Sequence, residues 1–179
     1  MIDYTEWQLM FDIGKCWLNY LKGCLLEIGV GKSTGVFIEL SNLYGRRSLH
    51  CDIRDYGITF SSMSTFHNMT SDQMFSQIGH TPLALTLIDG NHSYEQVARD
   101  YRNTLNITED NGLIFMHDTL PPNEGHLDPG LCGGVYRLRQ ELSLDETVDS
   151  FTFPFIGAPP NCGVTMVRKK AINLPYYQA

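Results

Sequence analysis

The sequence lacks the features that mark several large protein classes. Its 179 residues contain no apolar run long enough to span a membrane, and the first four, MIDY, do not begin a signal peptide. Five cysteines, an odd number without CxxC spacing, indicate neither a disulfide framework nor a structural zinc site. Positive charge is scarce, since 13 Lys and Arg face 20 Asp and Glu. We therefore expect a cytoplasmic protein that binds neither membrane nor nucleic acid.

The chain instead has the pattern of a single α/β domain over residues 1–179. A hydrophobic content of 42% is enough to bury a core at this length. Short apolar runs predict buried strands at residues 24–28, 48–53, 83–88 and 112–116, and two later runs at 150–155 and 164–168 predict an antiparallel pair. Strand and helix alternate up to that pair, which predicts a doubly wound α/β sheet.

Apolar residues at helical spacing fill the segments between the strands. They predict helices at residues 5–21, after Ser33 or Thr34 up to Gly45, and at 72–78, 93–105 and 135–142. The N-terminal helix, within residues 1–22, could shape a substrate pocket or pair with a second subunit in a homodimer. Residues 119–134 are rich in proline and glycine, which predicts an irregular lid loop over the strand ends.

The stretch EIGVGKST, residues 27–34, allows two interpretations. Its end is that of a phosphate loop, but such a loop needs G-x-x-x-x-G-K-[ST], and the position five before Gly31 is Leu26. Residues 85–89, LTLID, imitate the strand that holds Mg²⁺ in phosphate-loop enzymes, so a nucleotide hydrolase stays as an alternative. The other interpretation is the first strand-to-helix turn of an adenosine-cofactor enzyme.

The second interpretation explains more residues. Gly29 and Gly31 permit a tight turn and close approach of the backbone to a ligand, and Glu27 adds a carboxylate that suits a cationic or hydroxyl-bearing ligand. Thr34 stands where the dinucleotide fingerprint has its third glycine, which argues against NAD and FAD. Asp52, at the end of the second predicted strand, is spaced to bind a ribose diol.

Four segments in this order resemble the class I S-adenosylmethionine-dependent methyltransferases. They are LEIGVG at 26–31, CD at 51–52, IDGNHSY at 88–94 and NGLIFMHDT at 111–119. The similarity is closest to the family of small-molecule and sugar O-methyltransferases and cephalosporin-hydroxylase-like proteins. It implies a Rossmann-like, three-layer α/β/α fold with a seven-stranded sheet whose last strand is antiparallel. It also implies that the turn at 27–31 contacts the methionine part of the cofactor, Asp52 the ribose and residues 70–72 the adenine.

On this basis we assign S-adenosylmethionine binding to the turn and the neighbouring strand ends. The predicted cofactor-binding residues are Glu27, Gly29, Val30, Gly31, Ser33, Thr34, Asp52, Ile53, Ser71, Asp72, Asp89 and Gly90.

Asp89 and Asp118 follow strands predicted to be neighbours, so their carboxylates could converge on one divalent ion such as Mg²⁺ or Mn²⁺. Metal-using members of the similar family carry an acidic pair where this chain has His117-Asp118. The predicted metal ligands are therefore Asp89, His117 and Asp118, and Mn²⁺, Zn²⁺, Fe²⁺ or a metal-free site stay open beside Mg²⁺. His92, together with Asp89, is the predicted catalytic pair, because imidazole is a suitable base near neutral pH, although a purely structural role for His92 also stays open.

The resulting functional hypothesis is an S-adenosylmethionine-dependent methyltransferase that acts on a hydroxyl of a small molecule or sugar. Two alternatives remain beside it. One is a non-catalytic cofactor-binding module, or a subunit whose partner supplies the acceptor site, and the other is the nucleotide hydrolase.

Overall fold

The protein, described here by a computed structural model over residues 5–154 and 162–171, is built on one mixed sheet. Within these ranges the strands are β1 (Cys24–Ile28), β2 (Ser48–Asp52), β3 (Ser64–Asn68), β4 (Leu83–Ile88), β5 (Thr108–His117), β6 (Val148–Phe153) and β7 (Val164–Lys169). Their order is β3-β2-β1-β4-β5-β7-β6. The first five of this order pair in parallel, and β7 is antiparallel to β5 and β6. The predicted doubly wound sheet with an antiparallel last strand is confirmed.

Helices cover both faces of the sheet. They are α1 (Glu6–Trp17), α2 (Thr34–Tyr44), α3 (Ser71–Ile78), α4 (Tyr94–Ile107) and α5 (Val135–Leu142), with a short 3-10 helix at Glu124–Leu127. Neighbouring residues of β1 point to opposite faces, so Leu25 packs with α1 and α2, and Leu26 packs with α3, α4 and α5. Two apolar cores therefore flank the sheet, which confirms the predicted three layers.

Side-chain caps explain where several helices begin. The Ser93 hydroxyl accepts from the backbone N–H of Gln96, as the sequence spacing predicts, and Thr70 forms a reciprocal capping box with Gln73. The predicted cap of α2 is wrong in its detail. Ser33 occupies the N-cap position, but its hydroxyl makes no capping hydrogen bond because it donates to a buried carboxylate instead.

Strand β3 is the element that sequence reasoning missed. Its residues STFHN are polar except for Phe66, and the strand is only partly buried at the edge of the sheet, so it has no apolar alternation to read. Pairing with β2 holds it extended. Strand β2 itself ends at Asp52, one residue before the predicted boundary.

Some sequence predictions reach beyond the described ranges. Phe155, the last residue of the predicted run at 150–155, lies outside them, as do both ends of the predicted domain 1–179 and the start of the predicted N-terminal segment. No helix in the ranges 5–154 and 162–171 has the length and apolar content needed to cross a membrane.

The difference in burial between two phenylalanines leads to a prediction about stability. Phe115 on β5 is fully buried, whereas Phe151 on β6 has an exposed fraction of 58%. We expect Phe115→Ala to lower the free energy of unfolding by about 3–5 kcal/mol, since it removes a large side chain and leaves a cavity. Phe151→Ala, the matched control, should change it by ~0.5 kcal/mol. Urea unfolding checks both values, and equal effects would contradict this description of the core.

Candidate active site

A groove of about 860 Å³ opens at the carboxyl ends of β1, β2 and β4. Strand β1 lies between β2 and β4 in the sheet, so the chain crosses from one side of β1 to the other here, and ligands of open α/β sheets bind at such points. The groove is lined by eight of the predicted cofactor-binding residues, namely Gly29, Val30, Asp52, Ile53, Ser71, Asp72, Asp89 and Gly90.

The floor of the groove is a close backbone contact between two strand ends. Gly29 has a φ of 89°, and a Cβ at this position would lie 2.0 Å from the carbonyl oxygen of Asp89. The N–H of Gly29 donates to Cys51 at 2.9 Å, and the N–H of Asp89 donates to Ile28 at 2.8 Å. Three strand ends are thereby joined around a residue that must be glycine.

Asp52 stands on the wall of the groove with both carboxylate oxygens fixed. Oδ2 accepts from the N–H of Val30 at 2.9 Å, and Oδ1 accepts from the N–H of Arg54 at 2.8 Å. Each carboxylate oxygen can accept more than one hydrogen bond, so the group keeps acceptor capacity for a ligand diol. The second strand end is in this way tied to the glycine turn.

Three predicted cofactor-binding side chains do not reach the groove. Glu27 is fully buried, and its carboxylate accepts from the hydroxyls of Ser33 and Thr34 and contacts Nδ1 of His50 at 2.7 Å. Gly31 also lies away from the groove wall, and its N–H donates to the Thr34 hydroxyl at 3.0 Å. The structure therefore gives Glu27, Ser33 and Thr34 a role inside the turn, because their side chains bind one another.

Helix α4 contributes two groove residues that sequence reasoning missed, Gln96 and Asp100. The Gln96 amide donates to the Ser71 hydroxyl at 3.1 Å and to the Asp100 carboxylate at 3.0 Å. Burial raises the pKa of Asp100 above its ordinary value, against the hydrogen bonds from Ser71 and Gln96. The sequence did contain a signal for Asp100, because its carboxylate lies next to Tyr101 on the apolar face of an amphipathic helix, where a charged residue is unusual.

Beside the groove, the ends of β4 and β5 carry what we call the acidic-histidine cluster, Asp89, His92, His117 and Asp118. Nε2 of His92 lies 3.7 Å from Asp89 and 3.4 Å from Asp118. Nδ1 of His117 lies 3.3 Å from Oδ1 of each of the same two carboxylates. The four residues predicted as catalytic or metal-binding are therefore neighbours in the structure.

The hydrogen bonds of His92 fix what its ring can do. Nδ1 contacts the carbonyl oxygen of Leu131, which can only accept, so Nδ1 carries the proton and Nε2 faces the carboxylates. The Asp89 carboxylate close to Nε2 raises the pKa of His92, and burial opposes the shift. Nε2 is thus the one ring atom placed to take a proton from a ligand or to bind a cation.

His117 is enclosed by helix α1. Its Nε2 lies 3.2 Å from the Glu6 carboxylate, and its ring stacks on Trp7 with centroids 5.3 Å apart. Burial lowers its pKa, but Asp118, Asp89 and Glu6 outweigh that effect and raise the pKa to about 12. Glu6 was not anticipated, because nothing in the sequence near residue 6 indicates that α1 reaches the end of β5.

Both histidines of the cluster affect the pKa of Asp89. Burial would raise its pKa, but the neighbouring His117 and His92 rings outweigh burial, so the pKa lies below the ordinary value of an aspartate. The carboxylate is therefore the charged partner of two imidazole rings. Its charge makes it available to either a cation or a protonated base.

The cluster fits a divalent cation. Ligand atoms of Asp89, His92 and Asp118 all lie within 4.8 Å of one another, so the geometry adds His92 to the predicted set. Nδ1 of His117 is buried without a well-aligned hydrogen bond and faces both carboxylates, which also suits a ligand. Two carboxylates with imidazole suit Mn²⁺, Fe²⁺ or Zn²⁺ better than Mg²⁺, which prefers oxygen ligands alone.

The sheet order, the glycine turn and the groove define the fold as that of the class I methyltransferases. Residues 26–119 match a family model described as a methyltransferase domain. The chain belongs to this family, as the sequence resemblance predicts, and membership replaces the phosphate-loop interpretation of residues 27–34. No curated protein matches the sequence.

Several solved structures are similar to this chain. The cofactor-bound protein Rv0187 from MTB has 13% identity and a TM-score of 0.74, over 91% of this chain and 80% of that one. The O-methyltransferase TomG from Streptomyces achromogenes, in complex with SAM, has 14% identity and a TM-score of 0.67 over 91% and 80%. The MycE methyltransferase of the mycinamycin pathway, in complex with Mg, SAH and mycinamycin VI, has 16% identity and a TM-score of 0.63 over 92% and 48%. At these identities the likeness shows the shared fold.

The contact between Gly29 and Asp89 generates a prediction with a matched control. Gly29→Ala should lower the free energy of unfolding by about 2–4 kcal/mol, because the new Cβ collides with backbone and the positive φ adds strain. Gly31→Ala should have little effect, since a Cβ there meets nothing within 4 Å. Thermal and urea unfolding measure both. A stability of Gly29→Ala equal to that of Gly31→Ala would show that the strand ends are not in this contact.

Proposed function

We propose that the protein transfers a methyl group from S-adenosylmethionine to a hydroxyl of a small molecule. The observation that carries the proposal is the position of Asp89, which lines the groove and also belongs to the acidic-histidine cluster. A cofactor in the groove would therefore present its methyl group next to carboxylates and imidazoles. The SAM and SAH in the structures similar to this chain support the assignment of the groove.

The groove offers a distinct partner to each part of this cofactor. The turn at Gly29 and Val30 would contact the methionine part, and the Asp52 carboxylate would accept from the ribose hydroxyls. Ser71 and Asp72, with Gln96 behind them, would border the adenine. Glu27, buried beneath the turn, holds the turn in shape rather than binding the ligand.

Methyl transfer from a sulfonium is an in-line displacement, so the enzyme must position the acceptor oxygen and help it lose a proton. Nε2 of His92 is the base that this geometry favours, because Nδ1 is committed to Leu131. Since only Nε2 is left, His92 cannot be base and metal ligand at once. We therefore assign a divalent cation to Asp89 and Asp118, with Nδ1 of His117 as third ligand, where it would polarise the acceptor hydroxyl. The surrounding carboxylates keep His117 protonated in the absence of a cation, so binding would have to displace the Nδ1 proton.

Cofactor binding is the first test. Titration calorimetry should detect both S-adenosylmethionine and S-adenosylhomocysteine, and Asp52→Ala should weaken binding roughly 10- to 100-fold because hydrogen bonds to a charged group are lost. Asp55→Ala is the matched control, since Asp55 is exposed and bonds only the nearby N–H of Gly57 among the described contacts. A folded protein that binds neither compound would refute the proposal.

The second test concerns the base. With an acceptor identified by S-adenosylhomocysteine release from a panel of alcohols, sugars and phenols, His92→Ala should lower kcat by about 10²–10⁴ and leave cofactor affinity unchanged. His126→Ala, in the nearby exposed loop, is the control and should keep full activity. Added imidazole should restore part of the turnover of His92→Ala.

Other outcomes of the second experiment are equally informative. Failure of imidazole to restore turnover would favour a structural role for His92. Turnover that EDTA leaves unchanged would remove the cation from the proposal. Binding of the cofactor with no transfer to any acceptor would favour the non-catalytic module.

A further inference from the structure

Two thiols lie close to the Asp118 carboxylate. Ligand atoms of Asp118, Cys132 and Cys162 all lie within 4.8 Å of one another, and we call these three residues the thiol cluster. Cys132 is fully buried and Cys162 nearly so. Cys132 Sγ lies 3.9 Å from Oδ1 of Asp118. Methyl transfer as described above uses neither thiol.

The fold holds all three members of the thiol cluster in place. Asp118 has a φ of 58°, a left-handed conformation that is unusual for a residue other than glycine and that is concentrated at functional sites. The chain after Asp118 pairs with the chain around Cys162, because Thr119 donates to Gly163 and Leu120 donates to Cys162. Two ligands on separate segments are thereby fixed relative to each other before anything binds.

Cys132, the third member of the cluster, lies in the loop that precedes α5. The N–H of Cys132 donates to His126 at 3.0 Å, and Gly134, two residues further on, donates to the carbonyl of His92 at 2.8 Å. A Cβ on Gly133 would lie 2.3 Å from that same carbonyl oxygen, so the loop is pressed against His92. Cys132 is therefore as firmly placed as the other two.

The spacing of these groups also suits a shared cation. In a tetrahedral zinc site, thiolate and carboxylate ligands at about 2.3 and 2.0 Å from the metal are about 3.5 Å apart. The observed separation of 3.9 Å between Cys132 and Asp118 is close to this edge length. Two thiols and one carboxylate also form the donor set that soft or borderline metals prefer.

Oxidation of the pair to a disulfide is the competing interpretation, and the surroundings disfavour it. Burial raises the pKa of both Cys132 and Cys162, and Asp118 adds to the shift. Oxidation starts from a thiolate in an electropositive, accessible place, which this is not. A divalent cation, by contrast, replaces thiol protons directly, because coordination deprotonates the ligand.

We propose that Asp118, Cys132 and Cys162 form a thiolate metal site for a cation of the Zn²⁺ class. Binding forms two sulfur–metal bonds and one oxygen–metal bond and releases two thiol protons to solvent, with no change of oxidation state. Three protein ligands leave the fourth tetrahedral position to solvent or a ligand. Because Asp118 belongs to both clusters, its carboxylate would bridge this cation and the cation proposed for the acidic-histidine cluster when both are bound.

Cobalt substitution tests this site without any measurement of methyl transfer. The full chain, freed of metal by a chelator and kept reduced, is titrated with Co²⁺ and then with Zn²⁺. We expect a near-ultraviolet sulfur-to-cobalt charge-transfer band that Zn²⁺ abolishes. Cys132→Ala and Cys162→Ala should each lose the band and bind Zn²⁺ on the order of 100-fold more weakly, while Cys16→Ser, which changes an exposed thiol, should keep it.

The design separates this site from the proposed reaction. Asp89→Asn should impair turnover and keep the band, so failure of one proposal leaves the other standing. Cobalt bound without the band, a band that survives both alanine variants, or an untreated protein whose mass is lower by two hydrogens, as in a disulfide, would each overturn the thiolate site. The two variants lie on different segments, and the wild-type band is decisive even if one variant fails to fold.

Discussion

The structure depends on one steric constraint, the approach of the Gly29 backbone to the carbonyl of Asp89. Only a residue without a side chain can let β1 and β4 converge this closely. The convergence brings Asp52 from one side and Asp89 from the other to the same groove. A buried set of hydrogen bonds supports the turn from beneath, in which Glu27 joins Ser33 and Thr34 at the start of α2 to His50 on β2. Groove residues line one side of the turn, and these buried hydrogen bonds stabilise its other side.

The acidic-histidine cluster likewise forms where neighbouring strands end at the same edge of the sheet. Because β4 and β5 are parallel neighbours, Asp89 and Asp118 emerge side by side, and each has a histidine close to it. The two histidines differ in their second ring nitrogen: His92 is held by the loop through Leu131, and His117 is held by α1 through Glu6. Elements far apart in sequence thus determine which ring nitrogen of each histidine faces the carboxylates.

Sequence reasoning recovered the parts of this architecture that local patterns encode. Buried parallel strands are uninterrupted apolar runs, and strand ends at one edge bring their polar residues together, so the sheet and the cluster were predictable. Strand β3 was not, since its polar residues become a strand only by pairing with β2. The inward direction of Glu27 was also hidden, because a glutamate at a strand end has the same sequence signature whether it faces ligand or core. Glu6, Cys132 and Cys162 reach the site through tertiary contacts that no spacing records.

The anchoring of the loop before α5 has a consequence for the orientation of His92. The carbonyl of Leu131 contacts the His92 ring, and the N–H of Gly134 donates to the His92 carbonyl. Gly133 packs against the same carbonyl, so this end of the loop is anchored to His92. The other end, around the short helix at Glu124–Leu127, is exposed and makes mostly local hydrogen bonds. These contacts tie the backbone and the ring of His92 to the part of the loop that precedes α5, so the position of the imidazole depends on residues 131–134 and not on the exposed part of the loop.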